Sequence, residues 1–335
     1  MYSKFKLLGF LSLFILMAFY SLQDLSLIYH SYFPKPVYDF KKNPLKTTTI
    51  ELGRKLFYDP ILSRDNTISC SSCHNSTQAF SHAGNHLSKG IEGRMGDRNS
   101  PAIFNLAWQK KFMWDGVISN IDTQALAPIN HPAEMGEDIN VAVRKLNKSK
   151  EYRTLFYKSF GDSLATSERL LKALSQFQLT IVSSNSKYDH VREGKEKFTH
   201  SENKGYQLFK QNCSSCHSEP LFSTYDFANN GLPMDPELDD HGKWNKSFEP
   251  ADQLMFKIPS LRNLGYTYPY MHDGRFKTLY EVLNHYEKGI LKTPTLAKEL
   301  QNPIVFTDEE KENLLSFLAT LNDSLLVSNI DYKKK

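Results

Sequence analysis

The pentapeptide Cys-Ser-Ser-Cys-His occurs twice in this chain, at residues 70–74 and 213–217, and it accounts for all four cysteines. Two thiols three residues apart can each close a thioether onto one haem vinyl group, and the histidine that follows then lies under the iron. Other chemistries fit the pattern less well. Local disulfides would not need the histidines. A zinc site would draw the four thiolates together, yet Cys70 and Cys213 are 143 positions apart, far outside finger spacing. A thioredoxin-type pair needs a strand–helix context that the flanking sequence lacks. The chain is therefore expected to carry two covalently bound haem c groups, held by Cys70, Cys73, Cys213 and Cys216, with His74 and His217 as iron ligands.

With 335 residues the chain has room for two ordinary domains. The two halves resemble each other beyond the pentapeptides. Gly53-Arg54-Lys55-Leu56-Phe57 precedes the first and Gly205-Tyr206-Gln207-Leu208-Phe209 the second. Downstream, Ser100-Pro101 through Asn105-Leu106 parallels Pro259-Ser260 through Asn263-Leu264, and an acidic-glycine pair follows each, Asp115-Gly116 and Asp273-Gly274. The expected fold is mostly α, with two cytochrome c-like haem domains related by internal duplication. Helices are expected at Thr47–Tyr58 with a threonine N-cap, Ser167–Val182, Ser201–Gln211, Lys277–Tyr286 and Asp308–Leu321, the last opening with Thr307-Asp308-Glu309-Glu310. No alternating strands are predicted. Glycines 84, 90, 93 and 96 mark a flexible loop, residues 229–252 a polar loop, and residues 183–200 the domain boundary. In residue terms the expectation is a haem domain over 40–190 and a second over 195–325.

Lys4 and Lys6 precede an unbroken apolar run from Leu7 to Tyr20. That is the layout of a secretory signal, although no small-x-small cleavage site follows. The run is short for a full membrane span of ~20 residues. A cleaved signal peptide and an uncleaved anchor, within residues 1–30, both remain open. Either exports the rest of the chain, so a periplasmic location is expected, with anchoring to the inner membrane open. The net charge of +4 is spread along the chain, and nucleic acid is not an expected partner.

Aligning the halves on their acidic-glycine pairs sets Pro128 against Tyr286. Proline offers iron no donor, whereas tyrosine can coordinate as a phenolate. If this position faces the open side of each haem, one iron is open for chemistry and the other is closed for electron transfer.

These residues resemble the dihaem bacterial cytochrome c peroxidase / MauG family over about Leu45–Leu321. The resemblance rests on residues 69–74, Arg98-Asn99-Ser100-Pro101, Trp114-Asp115-Gly116, residues 124–128, Glu134-Met135, residues 259–263 and Pro269-Tyr270-Met271-His272-Asp273-Gly274. It implies that the first domain is peroxidatic, with Gln124 and Glu134 handling peroxide, and that the second transfers electrons. It also implies that Trp114 relays electrons between the haems, and that Asn99 with the carbonyls of Thr267 and Pro269 binds calcium, reasonable ligands for a hard cation. Taken alone, Glu134 reads as a surface acid and Trp114 as a core residue. Two departures stand out. Ile91 occupies the place of the loop histidine that caps the active haem in many members, and His82 and His86 are out of register. An enzyme active without reductive activation is therefore expected, unless His86 swings inward. Tyr286 stands where the ordinary peroxidases have methionine and MauG has tyrosine, with His285 and Met271 as alternative ligands. The tryptophan by which MauG passes oxidation to a protein is replaced by Gln211.

The expected activity is reduction of hydrogen peroxide by electrons from a small c-type cytochrome or cupredoxin, with a homodimer left open. The rivals are a MauG-like oxidase and a dihaem electron carrier.

Overall fold

The computed structural model describes residues 25–334, so the apolar N-terminal run lies outside the described residues. Among the described residues, no helix is long and apolar enough to cross a membrane. The described residues are mostly helical, and their one sheet is the two-residue antiparallel pairing of β1 (Phe227–Ala228) with β2 (Phe256–Lys257).

Each half is built on a crossed helix pair. In the first half α1 (Thr47–Tyr58) packs on α2 (Ser167–Leu179), and in the second α3 (His200–Asn212) packs on α4 (Asp308–Ala319). Glycine permits both crossings. A β-carbon on Gly53 would lie 1.9 Å from the Ala173 carbonyl oxygen, and one on Gly205 would lie 1.9 Å from that of Asn313. Phenylalanines fill the space beside each crossing, Phe57 against Phe177 at 5.2 Å and Phe209 against Phe317 at 5.2 Å between ring centroids.

The duplication extends to single hydrogen bonds. Asn105 and Asn263 are both fully buried in the left-handed region, with φ of 54° and 65°. The Asn105 N–H donates to the Ile181 carbonyl at 2.9 Å, and the Asn263 N–H to that of Leu321 at 3.2 Å. Their side-chain oxygens then accept the N–H groups of Ser183 and Asp323. Each asparagine thus fixes the chain where it leaves the helix at the end of its half.

Several helix boundaries differ from those predicted. No threonine caps α1; Lys46 is the N-cap and offers no side-chain bond, so the threonines occupy the first turn. The α2 helix ends at Leu179 because the Thr180 hydroxyl and N–H both turn back to the Phe177 carbonyl, freeing the next residues to meet Asn105. The expected helix at 277–286 is shorter, Leu279–Asn284, opened by a Thr278/Glu281 capping box and followed by a single π turn at His285–Gly289.

The expected boundary stretch is ordered and contains a helix, Lys187–Arg192. Its Asp189 makes a paired salt bridge with Arg262, both side chains 0 % exposed. The polar loop at 229–252 likewise contains a short helix, Trp244–Ser247. After α4 the chain returns to the first half. Leu326 joins that half's core, Tyr332 packs on Phe80 at 5.8 Å, and its hydroxyl donates to the Thr180 carbonyl at 2.7 Å.

Candidate functional site

A single apolar cavity runs along the join of the two halves, and both pentapeptide histidines line it. His74 Nδ1 is bound to the Phe80 carbonyl at 3.1 Å. His217 Nδ1 is bound to those of Phe222 at 3.2 Å and Pro259 at 3.1 Å. A ring nitrogen facing a carbonyl must carry the proton, which leaves Nε2 with a free lone pair. Neither Nε2 has a hydrogen-bond partner, and burial pushes both imidazoles down to about 4, so they are neutral at ordinary pH. All four cysteines are unpaired. Among the described residues there is no cluster of three or more His, Cys, Asp or Glu that could hold a metal ion. Two histidines with free Nε2 atoms, two unpaired cysteine pairs and an apolar cleft between them fit two haem c groups.

Gln124, Pro128 and Glu134 line the cavity on the His74 side. Gln124 ends the short helix Ile121–Gln124, and its Nε2 lies 3.5 Å from the Met113 sulfur. Glu134 sits in a turn held from outside the domain's helices. Its carbonyl accepts the Ile91 N–H at 2.8 Å, and a β-carbon on Gly90 would lie 2.3 Å from that same oxygen. The glycine-rich loop is therefore packed onto the Glu134 turn, and Gly90 permits the close approach. Ile91 is fully buried against Gly136 and lies off the cavity. His82 and His86 do not line the cavity either. Burial raises the Glu134 carboxyl above its ordinary value, an effect opposed by His131 at 3.7 Å. The Glu134 side chain is 30 % exposed and lines the cavity, where a positioned carboxyl is the kind of group that can both take and give a proton.

On the His217 side the cavity is lined by Tyr286 and Met271. Tyr286 falls in the π turn, and burial pushes its phenol up to about 12. His285, one residue earlier, is turned away: its Nε2 is bound to the Asn230 carbonyl at 3.0 Å, and it does not line the cavity. Met271 is engaged by the Asn230 amide at 3.4 Å.

Trp114 lies between the two sides. Its indole N–H donates to the Asn99 carbonyl at 2.8 Å, and its own carbonyl accepts the Lys257 N–H at 2.7 Å from the other half. The Asn99 N–H donates to the His272 carbonyl at 2.7 Å, and its amide nitrogen to the carbonyls of Asn85 and His86. That leaves Asn99 Oδ1 without a hydrogen bond. Thr267 and Pro269 line the cavity, but Asn99 does not.

Four residues at the join were missed by sequence reasoning. Arg98 grips Asp240 with two bonds (2.6 and 2.8 Å) and Asp115 with a third at 2.8 Å, tying the halves together. Lys257 and Tyr225 line the cavity; burial brings the Lys257 ammonium down to about 7, and the Tyr225 hydroxyl is buried without a partner. His272 also lines it. The acidic-glycine alignment contained the signal for this last residue, because it sets His272 opposite Trp114. Both follow a methionine of positive φ, Met113 at 66° and Met271 at 74°.

Comparison with known proteins agrees with this architecture. Residues 47–197 match the di-haem cytochrome c peroxidase family and residues 202–322 the cytochrome c family. The chain is 36 % identical over 294 residues to the methylamine utilization protein MauG of Methylorubrum extorquens, covering 86 % of this chain and 82 % of that protein. It is 33 % identical over 291 residues to the cytochrome c551 peroxidase of Nitrosomonas europaea, covering 83 % of each. The crystal structure of a MauG-like protein associated with microbial copper homeostasis superposes with a TM-score of 0.81 at 30 % identity, covering 92 % of this chain and 99 % of that one.

Proposed function

Because this chain belongs to the di-haem cytochrome c peroxidase family, which includes MauG, we propose that it reduces hydrogen peroxide to water with electrons from a small periplasmic redox protein. The observation that carries the proposal is that Gln124, Glu134 and Pro128, the last a residue with no donor for iron, line the same cavity as His74. When bound, the haem supplies the iron at which the peroxide O–O bond is polarised and the conjugated ring from which electrons are drawn. The chain's own residues do the rest. Gln124 offers an amide to orient peroxide. Glu134 takes the proton from the near oxygen and delivers it to the leaving oxygen, the task of a positioned acid–base. The buried Ile91 anchors the Glu134 turn and leaves the cleft uncapped, so activity without prior reduction is expected.

In this reading residues 40–190 form the peroxidatic domain and 195–325 the electron-transfer domain. Tyr286 would hold the iron of the second haem, and Trp114, bonded on both sides of the join, would carry electrons across it. The donor is a small c-type cytochrome or a cupredoxin. Asn99 Oδ1 with the carbonyls of Thr267 and Pro269 forms a calcium site, and the N-terminal run exports the chain to the periplasm.

A second reading, a MauG-like oxidase acting on a protein or small molecule, is favoured by Tyr286 lining the second cleft. Gln211 weighs against it, since glutamine cannot carry an oxidising equivalent outward. A pure electron carrier would have no use for Glu134 and Gln124 beside an open iron. An EPR spectrum of the ferric protein, followed by peroxide addition, tests the proposal. One high-spin and one low-spin haem, with an immediate response to peroxide, is the expected result. Two low-spin haems and no response until half-reduction would overturn it.

A further inference from the structure

A series of aromatic and imidazole rings, bridged between Phe256 and His241 by Gly242, runs from the cavity to the exposed Phe248. Phe256 and His272 both line the cavity, and their rings stack at 3.6 Å with 14° between planes. The His272 ring has no hydrogen-bond partner. The outer edge of Phe256 lies against Gly242, where a β-carbon would come within 3.1 Å of its Cζ. The residue before that glycine, His241, lies 5.0 Å from the Trp244 ring, and Trp244 lies 5.6 Å from Phe248, which is 70 % exposed. Trp244 itself is partly exposed.

This segment is held firmly. Asp240, gripped by Arg98, also accepts from the Gly242 N–H at 2.9 Å and the Asn245 amide at 3.2 Å. Across the loop, the Lys243 N–H donates to the Met255 carbonyl at 2.8 Å and the Leu254 N–H to that of His241 at 2.9 Å. The Arg98 guanidinium also stands 5.8 Å from the Phe256 ring, so the side chain that grips Asp240 also packs on Phe256. Attachment of haem needs none of these rings.

We propose that Trp244 is an electron-transfer residue, the point where a protein reductant too large to enter the cavity gives up its electrons. The inference rests on the peroxidase reading. One electron leaves the Trp244 indole for the oxidised interior by way of His241, Phe256 and His272, and the indole proton is released to water. The partner protein returns one electron, and the indole regains a proton. Two such passes, with two protons taken up in the cavity, convert one hydrogen peroxide into two waters.

Peroxide added to the ferric holoenzyme without a donor, in the presence of a nitroso spin trap, tests the path by peptide mass spectrometry. The expected result is a trap adduct on Trp244, lost in Trp244→Phe and strongly diminished in Phe256→Leu, where the indole is present but the path is cut. Haem absorbance that responds to peroxide while Trp244 carries no adduct would overturn the path and leave the peroxidase reading intact. An adduct yield unchanged in Phe256→Leu would overturn it as well. Absorbance that does not respond to peroxide at all would instead remove the peroxidase reading, and the path with it.

Discussion

The buried Asp189–Arg262 pair ties the linker helix to the wall of the second haem pocket, and Arg262→Met should measure it. The guanidinium donates to both Asp189 oxygens, at 2.8 and 2.7 Å, and twice to the Pro220 carbonyl, at 2.9 and 2.7 Å. Methionine keeps an unbranched apolar stem among Phe33, Tyr188 and Phe222, the rings that surround the guanidinium. It leaves the Asp189 carboxylate with only Tyr32 and Ser186 as donors, fully buried. Removing one partner of a buried pair costs about 3–5 kcal/mol. At ~2–4 °C per kcal/mol for a chain of this order of size, Tm should fall by roughly 6–20 °C. Thermal unfolding of the holoprotein by circular dichroism provides the assay. A double variant, Arg262→Met with Asp189→Leu, should recover much of the loss because no unpaired charge stays buried. Burial pushes the Asp189 carboxyl up, but the Arg262 guanidinium, Ser186 and Tyr32 more than reverse this and hold it below its usual value. A carboxyl lowered by folding contributes stability that is fully present above the unfolded value of about 3.9 and is lost as pH falls through the folded value. The gap between wild type and Arg262→Met should therefore shrink in acid. A Tm unchanged at pH 7, or a gap that widens below pH 4, would refute the reasoning.

Glu134→Gln should slow the reaction with peroxide by about 10²–10⁴-fold with both haems still attached, whereas near-normal stopped-flow kinetics would return Glu134 to a surface role. Because burial raises this carboxyl, the wild-type rate should fall as acid protonates it from a pH above the ordinary glutamate value, and the variant should show no such fall. Tyr286→Met should raise the potential of the second haem, since axial ligands span ~0.8 V; an unchanged potential in spectroelectrochemistry would assign the ligand to Met271. Gly205→Ala should destabilise the second half by about 1–3 kcal/mol, because its β-carbon meets the Asn313 carbonyl. An unchanged urea midpoint would mean that the α3–α4 crossing relaxes freely.

The sequence by itself determined what depends on short spacings. A thiol, a second thiol and a histidine within five residues are chemically committed wherever the chain takes them. The Thr278/Glu281 and Thr307/Glu310 boxes likewise start their helices from local hydrogen bonds alone. The duplication was legible too, because Gly53 and Gly205 are required at the same crossing. Tertiary structure decided which way neighbouring side chains face. His285 and Tyr286 are consecutive, about 100° apart on a regular helix, and the π turn with the Asn230 carbonyl sends one away from the cavity and the other into it. Contacts across the chain also decided that Gly90 lies against the Glu134 turn, that Asp189 in the boundary stretch forms a buried clasp with Arg262, and that Tyr332 returns to cover Phe80. None of these has a local signature, because each gains its stability from partners dozens to hundreds of residues away, and a period or a spacing reports only on neighbours along the chain.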